Sequence, residues 1–204
     1  MPRVKPEYKA ERRAQIIEAA RTCFARDGFH RTTLQDVFAE AGLSAGAVYN
    51  YFQSKDELIL AIAEERHEEE TAVFAKHAEM QDPVEALREI GTHFINTYLS
   101  DTAAEKRRIA IQTWSEAMLN KPVRASVRDG IDKPLQQITA IVRRGQKSGR
   151  LNSTLEPDAV ARTLAALFHG FLLQKLWDPK LDVSAFTPVL EHVLATLSTP
   201  SKRR

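Results

Sequence analysis

The chain has 204 residues, 43% of them hydrophobic and 27% charged, a composition that supports a packed core and excludes a disordered tail. Its 29 basic and 27 acidic residues leave a formal net charge of +2, which excludes whole-molecule attraction to nucleic acid and confines any basic surface to one region. A single cysteine, Cys23, excludes an internal disulfide framework and a cysteine zinc cluster, while only 8 glycines and 9 prolines favour long helices over a turn-rich sheet protein.

The first predicted helix runs from about Pro6 to Asp27, with Ile16, Ile17, Ala20 and Phe24 on one apolar stripe and Gly28 as its stop. Thr33 is a good N-cap for a second helix, about Leu34 to Ala41, closed by Gly42. Ser44 caps a third, about Ala45 to Tyr51, and Ser54 with Glu57 forms a capping box that opens a fourth, about Lys55 to Glu79. The fourth carries Leu58, Ile59, Ile62 and Val73 as its apolar positions. Two short helices divided only by Gly42 and Leu43 have the spacing of a helix-turn-helix.

Longer helices follow. Asp82 and Pro83 start a fifth, with Leu87, Ile90, Phe94 and Tyr98 on one stripe. A sixth spans about Ala103 to Leu119 with Ala110, Trp114 and Met118. A seventh begins near Pro122 and carries Val123, Val127, Ile131, Leu135, Ile138 and Val142; Pro134 inside it should remove one backbone hydrogen bond and bend it. After a turn at residues 147–150, an eighth covers about Pro157 to Trp177 and a ninth about Val183 to Leu197, both rich in apolar residues. The tail Ser201–Arg204 is expected to be disordered. The expected fold is all-α, with about nine helices: an N-terminal three-helix domain with a helix-turn-helix over residues 1–58 and a C-terminal helical domain over residues 59–204.

No stretch reaches the roughly 18 unbroken apolar residues of a membrane span, and the charged N-terminus lacks an apolar secretory core. A cytoplasmic protein without membrane contact is expected. The short third helix is the candidate reading helix. Ala45, Gly46 and Ala47 are small enough to let backbone approach a groove wall, and a helix N-terminus attracts phosphate. Tyr49, Tyr51 and Lys55 offer phosphate-positioning groups, Asn50 is the side chain best suited to a base edge, and Val48 and Phe52 point inward. Residues 1–31 hold eight basic residues, Arg3 and Lys5 among them, against four acidic ones, while Glu64, Glu65, Glu68, Glu69 and Glu70 make the middle of the fourth helix acidic.

Residues 10–60 resemble the DNA-binding domain of the TetR family of bacterial transcriptional regulators. The resemblance rests on Ile16 to Ala20, Phe24, Gly28 to Thr33, Ala41 to Gly46 and Val48 to Leu58, in the family's order. It implies a DNA-binding domain over residues 1–58 and a ligand-binding and dimerisation domain over residues 59–204, with phosphate contacts from Thr33, Tyr49, Tyr51 and Lys55 and with Ala45, Gly46, Ala47 and Asn50 nearest the bases; Ser44, the cap of the candidate reading helix, is counted with the DNA-binding residues. Phe38 departs from the family, which usually has alanine at that place, and bears on the angle of the reading helix. With few base-reading side chains, part of the specificity is expected from DNA shape and dimer spacing.

Facing stripes of the fifth to eighth helices mix aromatic and polar groups: His93, Phe94, Thr97, Tyr98, Gln112, Trp114, Met118, Phe168 and Leu172. Core packing explains any one of them; the resemblance makes the set an effector pocket. The eighth and ninth helices carry more apolar surface than one core needs, which fits a homodimer on a pseudo-palindromic operator. The expected function is a repressor released by a small, largely apolar effector, whose binding favours a conformer with the fourth helix swung. The alternative is a helical small-molecule enzyme or metal-binding bundle. Glu64 and His67 have di-metal carboxylate spacing but no second copy, and neither a phosphate-binding glycine loop nor a nucleophile elbow occurs. No catalytic residue, metal or cofactor is expected.

Overall fold

The computed structural model describes residues 6–198, so the expectations for Arg3, Lys5 and the tail Ser201–Arg204 lie outside the described residues. Nine α-helices occur among them and no strand: α1 (Pro6–Asp27), α2 (Leu34–Ala41), α3 (Ala45–Tyr49), α4 (Lys55–Ala78), α5 (Pro83–Phe94), α6 (Ala104–Glu116), α7 (Lys121–Lys147), α8 (Pro157–Trp177) and α9 (Phe186–Thr196). No described helix is long and apolar enough to cross a membrane.

The described chain divides into two compact units. The first runs through Arg66 and takes in Arg108–Val127; the second comprises His67–Arg107 and the chain from Arg128 onward. The sequence boundary at residue 58 thus differs from this division by eight residues of α4 and by a returning segment from α6 and α7.

In the first unit, α1 buries Ile16, Ile17, Ala20, Cys23 and Phe24 and packs along α2, which in turn touches α3. Full burial of a side chain such as Phe24 contributes about 1.5–3 kcal/mol. Gly42, with φ +64°, turns the chain sharply after α2 and donates its N–H back to Ala39. Only a residue at ease in the left-handed region can hold this corner between the two short helices. Val48 and Phe52 are buried at 0% and 4% exposure, which turns the opposite face of α3 outward.

The second unit packs Leu87 and Ile90 of α5, Leu135, Ile138, Ile141 and Val142 of α7, Val160 and Leu164 of α8 and Leu194 of α9 into one core. The stripe of α5 continues to Tyr98, but the backbone does not continue as α-helix. Ile95–Leu99 forms a π-helical turn, followed by a 3-10 turn at Asp101–Ala103. Arg107, 3% exposed, donates to the carbonyls of Tyr98 (2.8 Å) and Ser100 (2.6 Å), acceptors that the irregular turn leaves without regular helical partners. Burial pushes the Arg107 guanidinium below its ordinary range. Lys175, equally buried, donates to the carbonyls of Pro179 and Leu181 and pairs with Asp101 at 2.8 Å.

Pro134 lies inside an unbroken α7. Lacking an N–H, it leaves the Gly130 carbonyl one turn earlier without its helical donor. Gly130 also has the His67 ring pressed on its backbone: a Cβ there would fall 2.2 Å from ring atoms. His67 is 9% exposed and packs as a buried ring on α7.

Candidate nucleic-acid interface and effector cavity

The helix-turn-helix is assembled by side chains that cap its own backbone. The Thr33 hydroxyl accepts from Asp36 N–H and donates to the Asp36 carboxylate (2.7 Å), which also accepts from Thr33 N–H (2.8 Å). These bonds hold the Asp36 carboxyl below its ordinary pKa. Ser44 accepts from Ala47 N–H at 3.3 Å and so starts α3. At the next corner Glu57 accepts from Gln53 N–H (2.7 Å) and Ser54 accepts from Glu57 N–H (3.2 Å).

With α3 held this way, Ser44, Ala45, Gly46, Tyr49 and Asn50 are exposed together, Ala47 is half-buried beside them, and Tyr51 is half-buried just beyond. Helix α3 stops at Tyr49, two residues before its expected end, because Asn50 and Tyr51 tighten into a turn in which Tyr51 N–H donates to Val48 (2.9 Å). Phe38, 8% exposed, sets its ring edge-to-face on Tyr49 with centroids 5.4 Å apart. The larger residue therefore supports α3 from α2, while Tyr49 keeps 40% of its surface exposed.

Lys55 is placed differently from its neighbours. Its ammonium donates to the carbonyls of Phe29 (2.6 Å) and Thr32 (3.2 Å), closing the turn between α1 and α2. Two of its three donors are thus engaged within the protein. The basic face of α1 is also partly neutralised: Arg13 and Arg21 both pair with Glu65 of α4, at 2.9 and 2.8 Å, and Arg26 pairs with Asp27 and Glu40. The sequence contrast between a basic α1 and an acidic α4 is in part a set of ion pairs.

In the second unit, Phe94 stacks at 4.9 Å on Tyr98 and at 4.8 Å on Phe168. The buried Tyr98 donates its hydroxyl to Glu70, and Thr97 lies 3.3 Å from the His93 ring. Burial, with His77 and Lys106 nearby, pushes the His93 pKa down. Leu172 is buried at 1% exposure. Next to this group is a cavity of about 30 Å³ lined by Leu87, Ile90, Ile138, Leu164, Phe168 and Leu190, with the Arg88–Glu191 ion pair (2.8 Å) as polar lining. Its volume holds about two waters. Of the expected effector residues only Phe168 lines it. Trp114 and Met118 belong to the first unit, where Met118 is 68% exposed.

Residues 16–62 match the family model for bacterial regulatory proteins of the tetR family, and residues 83–199 match that for the C-terminal part of BetI-type transcriptional repressors. The chain belongs to the TetR family of bacterial regulators. It is 27% identical to the uncharacterized HTH-type transcriptional regulator YfiR of Bacillus subtilis, over 96% of each chain. To the HTH-type transcriptional regulator TtgR of Pseudomonas putida it is 27% identical over 93% of this chain and 99% of that one. The solved complex of SmeT with triclosan aligns at a TM-score of 0.79 and 25% identity, over 94% of this chain and 93% of that one. SmeT is the repressor of the multidrug efflux pump SmeDEF of Stenotrophomonas maltophilia. This TetR-family protein is a DNA-binding transcriptional regulator, as its relatives are, and not an enzyme.

One residue of this TetR-family chain has a place that the sequence stripes do not reveal. Gln112 of α6, grouped from sequence with the pocket, instead grips the helix-turn-helix: its Oε1 accepts from Phe29 N–H (2.6 Å) and its Nε2 donates to the Phe24 carbonyl (3.1 Å). Arg108, one turn earlier, donates to the Ala25 carbonyl (3.2 Å). Both satisfy backbone groups around the C-terminal end of α1, where a helix has acceptors to spare. Local patterning cannot find such contacts, whose partners lie 83 to 88 residues away.

Proposed function

We propose that this regulator is a repressor that binds a pseudo-palindromic operator as a homodimer through α8 and α9 and leaves it when a small, largely apolar effector enters the second unit. The apolar cavity beside Phe168 is the observation that carries the reading. It is too small for a drug-sized molecule, so entry requires its walls to move. A ligand whose binding requires a different wall arrangement favours the conformer that has it, and a coupling of about 1–3 kcal/mol suffices for regulation. The match to repressors in the C-terminal part and the triclosan complex of SmeT support this sense of control and this ligand chemistry. Exposed apolar residues on α8 and α9, Trp177 at 74% and Val189 at 57%, support the pairing surface.

In this reading the exposed face of α3 enters the major groove. Thr33, Ser44, Tyr49, Tyr51 and the remaining donor of Lys55 hold phosphates, and Ala45, Gly46, Ala47 and Asn50 lie against the bases. Selection of bound duplexes from random DNA, followed by titration with triclosan as probe, tests it. An enriched two-fold-symmetric sequence released by triclosan is the expected result; triclosan binding that leaves operator affinity unchanged removes the proposed switch for this ligand class. Asn50→Ala should change the selected sequence, at about 1–3 kcal/mol for the base pair concerned, and leave binding to random DNA intact.

A further inference from the structure

A second cleft opens in the second unit on the face shared by α7 and α8. Its volume is about 430 Å³, and its lining is mainly polar. Helix α7 contributes Asp132, Gln136, Thr139 and Arg143 one turn after another, and α8 contributes Asp158 and Arg162. Leu135, buried in the core, supplies apolar floor.

The lining holds two aspartates and two arginines, but an arginine from outside it takes one of the aspartates, so the pairing leaves one arginine over. Asp132 pairs with Arg128 along α7 (3.3 Å), and Asp158 pairs with Arg162 along α8 (2.7 Å). Arg143 makes no ion pair among the described residues and is exposed in the cleft. Beside it, Thr139 is only 7% exposed, and its hydroxyl oxygen is buried without a hydrogen-bond partner. Buried hydroxyls ordinarily have partners, so this one marks a place where an incoming polar group gains a bond at no cost to an existing one.

The complement of these groups is specific. A guanidinium with its planar fork free takes a carboxylate through two parallel bonds. The two aspartates keep lone pairs that accept from hydroxyls, and the Gln136 amide and the Thr139 hydroxyl can donate or accept. We propose that the α7–α8 cleft is a binding site for a small hydroxylated carboxylate, held by Arg143 at its carboxylate and by Thr139, Gln136 and the aspartates at its hydroxyls. It is separate from the apolar cavity beside Phe168 and takes a ligand of opposite polarity.

Calorimetric titration of the full chain with three probes at matched ionic strength tests the site. Tartrate carries both features, succinate only the carboxylates and threitol only the hydroxyls. Tartrate should bind in the millimolar range or tighter, succinate at least about tenfold more weakly, and threitol not measurably. Arg143→Gln should weaken tartrate about tenfold or more, and Thr139→Val severalfold, with unchanged helicity by circular dichroism. Equal binding of tartrate and succinate, unaltered tartrate affinity in Arg143→Gln, or an Arg143→Gln effect confined to oligomeric state would each overturn the site. Loss of triclosan response in the same protein bears on the apolar cavity alone, so the two readings fail separately.

Discussion

Lys55 shows how one side chain can match a motif and be occupied otherwise. Its position along the chain is that of a phosphate-binding lysine, yet its ammonium already bridges the carbonyls of Phe29 and Thr32. Charge-assisted bonds of this kind contribute about 1.5–3 kcal/mol when buried and less at a half-exposed site. Lys55→Met is therefore expected to lower unfolding free energy by about 1 kcal/mol, read by urea titration. Operator affinity should fall and the slope against log salt should shrink by about one, as the third donor leaves its phosphate; an unchanged slope would confine the ammonium to the turn. The exposed residues of α3 were legible from sequence because small residues, tyrosines and an asparagine alternate with buried Val48 and Phe52 at helical spacing. Gln112 was not, because nothing local distinguishes an amide that packs in a pocket from one that hydrogen-bonds a distant backbone.

At the scale of elements, caps and stops were the readable part. Thr33, Ser44 and Asp82 sit where unsatisfied N–H groups need an acceptor, and Gly28 and Gly42 sit where the chain turns through positive φ. The π-helical turn at Ile95–Leu99 escaped because its apolar stripe continues the spacing of α5, and the Arg107 bonds that satisfy its freed carbonyls come from the next helix. Asp82 is held below its ordinary pKa chiefly by the N–H of Val84 at the start of α5, with help from Glu85 N–H and Arg150. A carboxyl depressed on folding contributes stability above its unfolded value of about 3.9 and loses it as pH falls through the folded value. Unfolding free energy should therefore decline below about pH 4, and Asp82→Asn should flatten part of that decline, read by urea titration across pH. Gly130→Ala decides between two effects. Alanine gains about 1 kcal/mol of helix propensity over glycine. Its Cβ would sit 2.2 Å from the His67 ring, and overpacking of this kind costs about 1–3 kcal/mol or more. Net destabilisation is expected, relieved in the double variant with His67→Ala, as measured by thermal unfolding.

For the whole molecule, an all-helical regulator with an N-terminal reading motif was legible because helix periodicity and punctuation agree along the chain. The division into units was not. Helices α4, α6 and α7 contribute to both, and continuous periodicity carries no mark of where a helix changes neighbours. Paired reading helices demand a face between copies, which the proposed reading puts on α8 and α9. Val189→Lys introduces a charge on the exposed apolar surface of α9. Analytical ultracentrifugation should then show a monomer, and operator affinity should fall by about two orders of magnitude or more as the second half-site contact is lost. A variant that stays dimeric would move the pairing surface elsewhere.

The two tryptophans divide between the units, Trp114 in the first and Trp177 in the second. Trp177 has its indole three-quarters exposed at the end of α8. Replacing Trp114 by phenylalanine leaves a single emitter whose wavelength reports the polarity at that helix end. Dilution from micromolar to nanomolar concentration would then convert self-association into a fluorescence titration, with no label attached and no DNA in the cuvette.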